Sequence, residues 1–493
     1  MTPTDLQRIA TEAMQARGLL EHFAPQALAE AESLRRSGPR PQPGELRDLC
    51  GLPWFSIDND DTRDLDQLSW AEPLPDGGAR LLVAVADVDA FVAPGEAIDN
   101  HAAANTTSVY TAAGVFPMLP LALSTDLSSL HEGQERLALV VDMSLAADGT
   151  VVGSTLYRAT VLNRAKLTYD AVAAWLAEPA SAPPALTDAL QGVPELAAQL
   201  RLHDSIAQQL RQWRVRRGAL SVRTSQARAV FDDDGRLVDL RPDEKNRAKD
   251  LIADLMIAAN SATARFLAQQ GFPSLRRMLS APRRWDRIVA LAASHGSTLP
   301  ALPDALALDR FLAAQRAADP AGFADLSLAV VKLLGSGEYA AEQGNGATNG
   351  TTRGHFGLAV NDYAHSTAPN RRFPDLITQR LLKAALAGET PPYDAEQLAL
   401  IARHCTLQED NANRVERQVL KAAAALLLHE RIGEVFDAIV TGAPSKGTFV
   451  RIARPMVEGR LVRGFEGLDV GDALRVRLVA VSAEQGHLDF ERA

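Results

Sequence analysis

The run LALVVDMSLAADGTVVGSTLYRATVL, residues 137–162, constrains the fold more than any other part of the chain. Leu137–Leu145 is almost wholly apolar, Asp148-Gly149 supplies a turn pair, and the return to Leu162 is rich in Val, Thr, Tyr and Leu. Such residues on either side of an Asp-Gly pair predict two antiparallel strands joined by a turn. LLVAVADV, from Leu81, reads as a buried strand, and ARAVFDDDGRLVDL as a further hairpin around Asp234-Gly235. Helical patterns run from Pro194 to Arg217, Asn246 to Gln270, Trp285 to Ala293, Pro374 to Ala387 and Glu396 to Glu430. Strands and helices are thus segregated rather than alternating, which makes the body α+β.

The two ends differ from this body. Residues 1–50 read as a small helical segment, helix-turn-helix-like in outline, broken by SGPRPQPGE. From about Arg431 the chain becomes a series of short strands split by Gly-containing turns, which suits a small closed β-barrel of the OB type. Lys446, Arg451, Arg454, Arg460 and Arg463 fall in its first half with Phe449 among them, as expected of a face for single-stranded nucleic acid. The competing reading is a scattered solvated surface, because acids balance the charge. The loop Glu342–Gly354, rich in Gly, Asn and Thr, separates helical regions.

Composition excludes several classes. With 493 residues, 46% hydrophobic and 23% charged, the chain has the make-up of a globular protein of more than one domain. Its two cysteines, Cys50 and Cys405, are too few for a disulfide framework, and no Cys/His spacing suggests zinc. No uncharged apolar run reaches membrane-spanning length, and MTPTDLQRIATEAM lacks the pattern of a signal peptide, so a cytoplasmic address is expected. A net charge of −10 gives no general attraction to nucleic acid, so any such binding rests on local basic surface.

The chemistry is concentrated in FSIDNDDTRDLDQLSW, Phe55 to Trp70, which holds Asp58, Asp60, Asp61, Asp64 and Asp66 followed by Gln67. So much negative charge in one segment is costly unless water or a cation offsets it. An EF-hand loop starting at Asp58 fails, since Arg63 stands at its glycine and Ser69 at its bidentate glutamate. Two readings stay level. One is a solvated acidic loop. The other is a magnesium site, because Asp64 and Asp66 flank Leu65 and would project to one side of an extended segment, where Asp58 can join them.

SIDNDDTRDLDQ resembles the signature of the ribonuclease II family. The resemblance continues in order through LLVAVADVDAFVAPGEAID, TSVY, FPMLPLALSTDLSSL, AKLTYDAV, RRGAL, LIADLMIAAN, HFGLAVNDYAHSTAPNRRFPDLITQRLL and RVERQV. It covers most of residues 51–430, which it makes the catalytic domain. Residues 431–493 are similar to the five-stranded RNA-binding OB-fold repeated in ribosomal protein S-one. The resemblance implies a processive 3′-to-5′ exoribonuclease that digests single-stranded RNA to nucleoside 5′-monophosphates with Mg²⁺. The chain itself is expected to be a monomer without a membrane or an obligate protein partner.

By the same resemblance, Asp58, Asp64 and Asp66 match metal-binding acids, with Asp66 the one most tied to hydrolysis. Gln67 stands where a fourth aspartate is usual, so it takes the fourth ligand place unless Asp60 or Asp61 does. Arg371 matches an arginine that fixes the terminal phosphate, and Arg372 beside it is a second substrate-binding candidate or a residue that packs against protein. Glu416 matches a glutamate near the last nucleotide, or is a helix-surface acid paired with Arg414 or Arg417. Tyr110 matches an aromatic that stacks on terminal bases, His365 a structural position, and RQWRVRR a basic helix that contacts RNA or is merely solvated. Val222 stands where a clamping Phe is common, and the residues ahead of Gly51 are too few for the two cold-shock barrels of bacterial members. The rivals are a catalytically impaired RNA-binding protein on the same fold and a single-strand DNA nuclease.

Overall fold

The computed structural model describes the whole chain except residues 1–2, 42–43, 223–225, 233–236, 244, 283, 321, 345–353, 443–446 and 469–470. The Asp234-Gly235 turn, Lys446 and most of the Glu342–Gly354 loop lie outside the described residues.

Helices α1 (Pro3–Gln15) and α2 (Pro25–Ser37) come first, then the strands β1 (Leu46–Asp48), β2 (Trp54–Asp58), β3 (Gln67–Pro73) and β4 (Ala79–Ala86). Helix α3 (Ala97–Asn105) and the small hairpin β5 (Val109–Thr111) and β6 (Gly114–Phe116) lead to β7 (Glu135–Leu145) and β8 (Val151–Thr168). These build a six-stranded sheet in the order β1-β8-β2-β3-β4-β7, and β8 also pairs with β7. The long β8 makes this possible: its first part runs antiparallel to β7, from Leu145↔Val151 to Glu135↔Leu162. Its last part runs parallel to β2, ending at Asp58↔Thr168. The sheet therefore returns on itself, so that β7 is paired on both sides and the three-residue β1 is left as a short edge. The expected β7–β8 connection is present at Asp148-Gly149, where Gly149 has φ +85°. Strand β4 is buried along nearly its whole length, as its uninterrupted apolar run requires.

Helices α4 (Tyr169–Ala177), α5 (Pro184–Gly192) and α6 (Leu196–Val215), the hairpin β9 (Gln226–Phe231) and β10 (Leu237–Asp243), and α7 (Arg247–Gln269) follow. Helix α7 is long and apolar enough to cross a membrane, but Leu251, Leu255, Ala259, Ala262 and Leu267 sit in the main core against the sheet. Strands β11 (Ser274–Met278) and β12 (Glu338–Glu342) pair around α8 (Trp285–Ser294), α9 (Ala305–Ala318) and α10 (Phe323–Leu334). These three helices form their own apolar cluster from Trp285, Leu308, Phe311, Phe323 and Val330. Of them only α8 is legible in the sequence.

Helices α11 (Phe373–Ala387) and α12 (Ala395–Leu428) close the body, α12 starting at a capping box of Asp394 and Gln397. Helix α11 is buried despite its polar residues: Arg380 and Lys383 are paired with Asp87, Asp89 and Asp99. Strands β13 (Val435–Gly442), β14 (Thr448–Ile452), β15 (Val457–Arg463), β16 (Ala473–Ser482) and β17 (His487–Arg492) form the expected closed five-strand barrel, in the order β13-β14-β15-β17-β16. Its core of Val440, Val450, Leu478 and Phe490 continues into Ala424, Ala425 and Leu428 of α12.

The N-terminal segment differs from a helix-turn-helix-like module. Helix α1 buries Leu6, Ile9, Ala13 and Met14 against Val415 and Val419 of α12, whereas α2 puts Ala27, Ala31 and Leu34 into the main core. Neither helix uses the other as its apolar partner. Strand β1, inside the 1–50 segment by sequence, pairs with β8 and belongs to the sheet.

Gly149 tests the turn. A Cβ there would lie 2.4 Å from the Gln209 carbonyl oxygen of α6, and its φ is left-handed. Gly149→Ala is therefore expected to destabilise the protein by about 2 kcal/mol or more. Gly153→Ala in β8 meets nothing within 4 Å and should change stability by less than about 0.5 kcal/mol. Urea denaturation of both variants decides.

Candidate active site

The acids lie on the connection between β2 and β3, two strands of the closed sheet paired through Phe55↔Ser69. Asp58 ends β2, and the chain is then stitched down again before β3. The Leu65 amide donates to Ser129 Oγ (2.9 Å), the Leu65 carbonyl accepts from Leu130 N (2.9 Å), and the Asp66 carbonyl accepts from Ala86 N (3.0 Å). With Leu65 buried as the anchor, Asp64 and Asp66 on either side of it are held by backbone bonds rather than by a free loop. Asp60 and Asp61 sit in the exposed part of the connection.

Burial sets the electrostatics. Asp66 is 4% exposed, and its carboxyl is pushed up to about 8 by desolvation, which outweighs the neighbouring Arg371. Asp58 is pushed up to about 6, again by burial, and Asp64 is raised for the same reason. Asp64 also repels both Asp58 and Asp66. Oδ2 of Asp58 is buried without a hydrogen-bond partner. Among the described residues no three His, Cys, Asp or Glu side chains already converge as a metal cage. The donor set nevertheless fits a hard divalent cation that completes its shell with water and substrate oxygen. It consists of three acid side chains, mutually repelling and partly stripped of water, one with an orphaned oxygen.

A second segment faces these acids: Ser366–Arg372, ahead of α11. Asn370 N donates to Asp66 Oδ1 (3.0 Å), and Arg371 Nε stands 3.8 Å from Asp66 Oδ2. The Arg371 side chain is 41% exposed, so its guanidinium is open to a ligand while it neighbours the acid. Tyr110 on β5 is exposed, and its hydroxyl donates to Asp64 Oδ2 (3.2 Å). The structure thus brings Asp58, Asp64, Asp66, Tyr110 and Arg371 into one site. Gln67, half-buried at the start of β3, donates its amide to the Thr367 carbonyl of the facing segment.

Two residues escape the sequence reading. Tyr169 at the start of α4 follows the Asp58↔Thr168 pairing and lies near enough for Asp58 to raise its hydroxyl pKa further, beyond the effect of burial. Asn370 supplies the backbone bond to Asp66, and its own side chain accepts from Ser128 Oγ (2.6 Å). The pairing register carried the signal for Tyr169. Nothing local carried it for Asn370.

Other expectations change. Arg372 is turned inward: Nη2 donates to Asp375 Oδ1 (2.7 Å), Asp375 is fully buried, and Tyr339 and Tyr363 lie close. Burying Asp375 in the first turn of α11 requires a cation at its side, which is why Arg372 pairs with protein rather than standing open beside Arg371. Glu416 is exposed on α12, one residue from Val415, which packs under the Tyr110 strand. Its carboxyl is raised by desolvation against the pull of Arg417, and it has no ion pair to Arg414 or Arg417 among the described residues. His365 is half-buried and shares a hydrogen bond with Tyr339 (2.7 Å). Val222 packs against the α8–α10 cluster. In RQWRVRR, Arg211 and Arg214 are paired with Asp254, Arg216 donates to the Asp148 carbonyl and Arg217 stacks on Trp213, so that helix face is engaged with its own protein. On the barrel, Arg451 is taken by Asp325 of α10 and Arg463 pairs with Glu491 (3.4 Å), whereas Arg454 and Arg460 are exposed and Phe449 pairs across the strands with Arg460.

The raised carboxyl of Asp66 has a pH consequence. In the unfolded chain it titrates near about 3.9, so between roughly pH 4 and 8 the native state keeps a proton that the unfolded state has lost. Stability contributed by that proton is present below this window and is lost as pH rises through it. In chelator, the melting temperature of the wild type should therefore fall more steeply from about pH 5 to 8.5 than that of Asp66→Asn, measured by calorimetry. Parallel profiles would contradict the buried-acid assignment.

The chain matches the RNB domain over residues 46–388 and the RNase II-type exonuclease C-terminal S1 domain over residues 434–493. It is 29% identical to ribonuclease R of Escherichia coli (strain K12), covering 96% of this chain and 60% of that protein. It is 33% identical to exoribonuclease 2 of Escherichia fergusonii over 75% of this chain and 56% of that one. The chain therefore spans about 60% of the length of these curated relatives. In fold it is similar to Mycoplasma genitalium RNase R in complex with ribose-methylated single-stranded RNA, with a TM-score of 0.86 at 22% identity, covering 99% of this chain and 78% of that one. It is also similar in fold to yeast Ssd1, a pseudonuclease, with a TM-score of 0.71 at 16% identity, covering 92% of this chain and 55% of that one.

Proposed function

Because the chain belongs to the RNB-domain family and carries an RNase II-type C-terminal S1 domain, we propose that it is a 3′-to-5′ exoribonuclease acting processively on single-stranded RNA. Its products would be nucleoside 5′-monophosphates. The observation that carries this reading is the juxtaposition of buried Asp66 and half-buried Asp58 and Asp64 with the exposed guanidinium of Arg371 and the exposed ring of Tyr110. A phosphodiester with a stacked terminal base has a partner there for each of its parts.

Each residue has a distinct task. The fork of Arg371 binds non-bridging oxygens of the terminal phosphate. The Tyr110 ring stacks on a terminal base without regard to its identity, worth roughly 1–3 kcal/mol per base. Its hydroxyl holds Asp64 in place. Asn370 N fixes Oδ1 of Asp66, which leaves Oδ2 directed towards Arg371 and the phosphate it binds. Held by Asp58, Asp64 and Asp66, a magnesium ion would supply positive charge at the scissile phosphate and lower the pKa of the attacking water. On the barrel, Arg454, Arg460 and Phe449 offer charge for the backbone and an aromatic face for a base upstream of the site.

One specific feature favours a second reading, an RNA-binding protein without hydrolysis: Gln67 brings no charge to the acid group. End-labelled RNA and DNA incubated with protein and Mg²⁺, with products resolved by size, separate the two. The exonuclease reading requires release of mononucleotides from the RNA 3′ end. Bound but intact RNA would establish the alternative, and equal digestion of DNA would make the protein a general single-strand nuclease. Asp66→Asn is expected to slow mononucleotide release by roughly 100-fold or more while leaving RNA affinity within a few-fold.

The barrel is tested by salt. Arg454→Ala with Arg460→Ala should lower the slope of log affinity against log salt by about one for each phosphate no longer neutralised. Binding is read by anisotropy in chelator. An unchanged slope would place the RNA path elsewhere.

A further inference from the structure

We infer that Gln67 and Asn260 are positioning residues that grip one short segment, Ser366–Thr367, and thereby set where Arg371 stands relative to Asp66. The inference rests on the nuclease reading above, since it assigns Arg371 to the terminal phosphate.

The grip comes from two separate elements. Asn260, on α7 and 2% exposed, spends both ends of its amide on this segment. Its Oδ1 accepts from Ser366 N (2.9 Å) and Ser366 Oγ (2.8 Å), and its Nδ2 donates to Thr367 Oγ1 (3.4 Å) and Tyr363 Oη (3.4 Å). Gln67, on β3, donates Nε2 to the Thr367 carbonyl oxygen. A carbonyl oxygen only accepts, so the amide must present its nitrogen there, and a carboxylate in the same place would meet the carbonyl oxygen to oxygen.

The segment beyond the grip is short and is fixed again at its far end. Ala368 N donates to Asp375 Oδ1 (2.8 Å), and the Arg371 carbonyl accepts from Ser108 N (3.0 Å) and Thr107 Oγ1 (3.2 Å). Between these anchors the Asn370 amide reaches Asp66. Gln67 is the direct neighbour of Asp66, so its bond to Thr367 ties the strand of the acid to the loop of the arginine. Two cross-ties, 67 to 367 and 370 to 66, thus define the 3.8 Å approach of Arg371 Nε to Asp66 Oδ2. The amide at position 67 thereby has a structural reason. It trades a charge in the acid group for a donor that the Thr367 carbonyl needs.

The test reads how strongly Arg371 engages the phosphate, apart from turnover. In chelator, affinity is measured for an oligoribonucleotide with an ordinary 3′-terminal phosphodiester and for one whose terminal link is a neutral methylphosphonate. Wild type should prefer the charged link by roughly tenfold, as expected for a charge-assisted fork, and Arg371→Ala should abolish the preference. Gln67→Met and Gln67→Glu should reduce it to within about threefold of unity, with affinity for the neutral link changed less than about twofold. Asn260→Ala should do the same, with its melting temperature checking that it folds. The Gln67 variants, half-buried at the site rim, carry the test if it does not. Equal weakening of both oligomers would mean a merely structural role and overturn the inference, as would a wild-type preference retained in Gln67→Met and Gln67→Glu. A wild-type protein with no preference would overturn the reading of Arg371 itself, and the inference with it.

Discussion

Burying the Asp66 carboxyl beside two other acids is the constraint on which the rest of this structure depends. A carboxylate taken out of water costs several kcal/mol unless donors and cations replace its hydration. Here one backbone amide, Asn370 N, and one guanidinium, Arg371, do so in part. Both come from a segment some three hundred residues away in sequence, so the acid can exist in this form only once the chain has closed around it. The returning sheet supplies a fixed seat for the acids, and α11 and α7 hold the segment that answers them. What these two partners leave unneutralised raises the carboxyl to about 8.

That division also governs what can be read from sequence. The β7–β8 pair, β4, and helices α6, α7, α8, α11 and α12 are legible because their signals are local: a turn pair, an apolar run, a helical period, a cap. The acid-bearing connection and the closed barrel are legible for the same reason, and the family resemblance through the RNB region is borne out by the matched domain. Helices α9 and α10 are not legible, because their apolar faces close a satellite cluster with α8, Leu220, Val222 and Phe356 rather than facing the main core. The N-terminal helices look like one module in sequence, but their faces belong to two different cores. Arg371 and Arg372 are adjacent and chemically identical, and only the location of Asp375 decides which one turns inward. The ties of Asn260 and Gln67 to Ser366–Thr367 join positions with no local pattern in common.

Local charge proves a poor guide to binding surface. The basic helix RQWRVRR has its arginines occupied by Asp254, by a backbone carbonyl and by Trp213. In the barrel, Arg451 is spent on Asp325, which docks the barrel against α10. In the first half of the barrel Arg454 and Arg460 stay exposed, Arg460 opposite the half-buried Phe449 on the neighbouring strand. In a chain with a net charge of −10, any attraction for a polyanion rests on such local exposed cations.

Helix α12 sets the distance between the Tyr110 strand and the barrel. Val415 packs on Val109 beneath the Tyr110 strand, and Leu428 is part of the barrel core, all on one unbroken helix. Thirteen residues at 1.5 Å each put about 20 Å of rigid rod between the two attachments. The helix is therefore a ruler. Deleting one residue between these marks would swing the barrel by about 100° about the rod, as well as drawing it in by about 1.5 Å. Spacing and bearing are thus encoded together in a residue count, and evolution can lengthen the gauge smoothly only in whole turns.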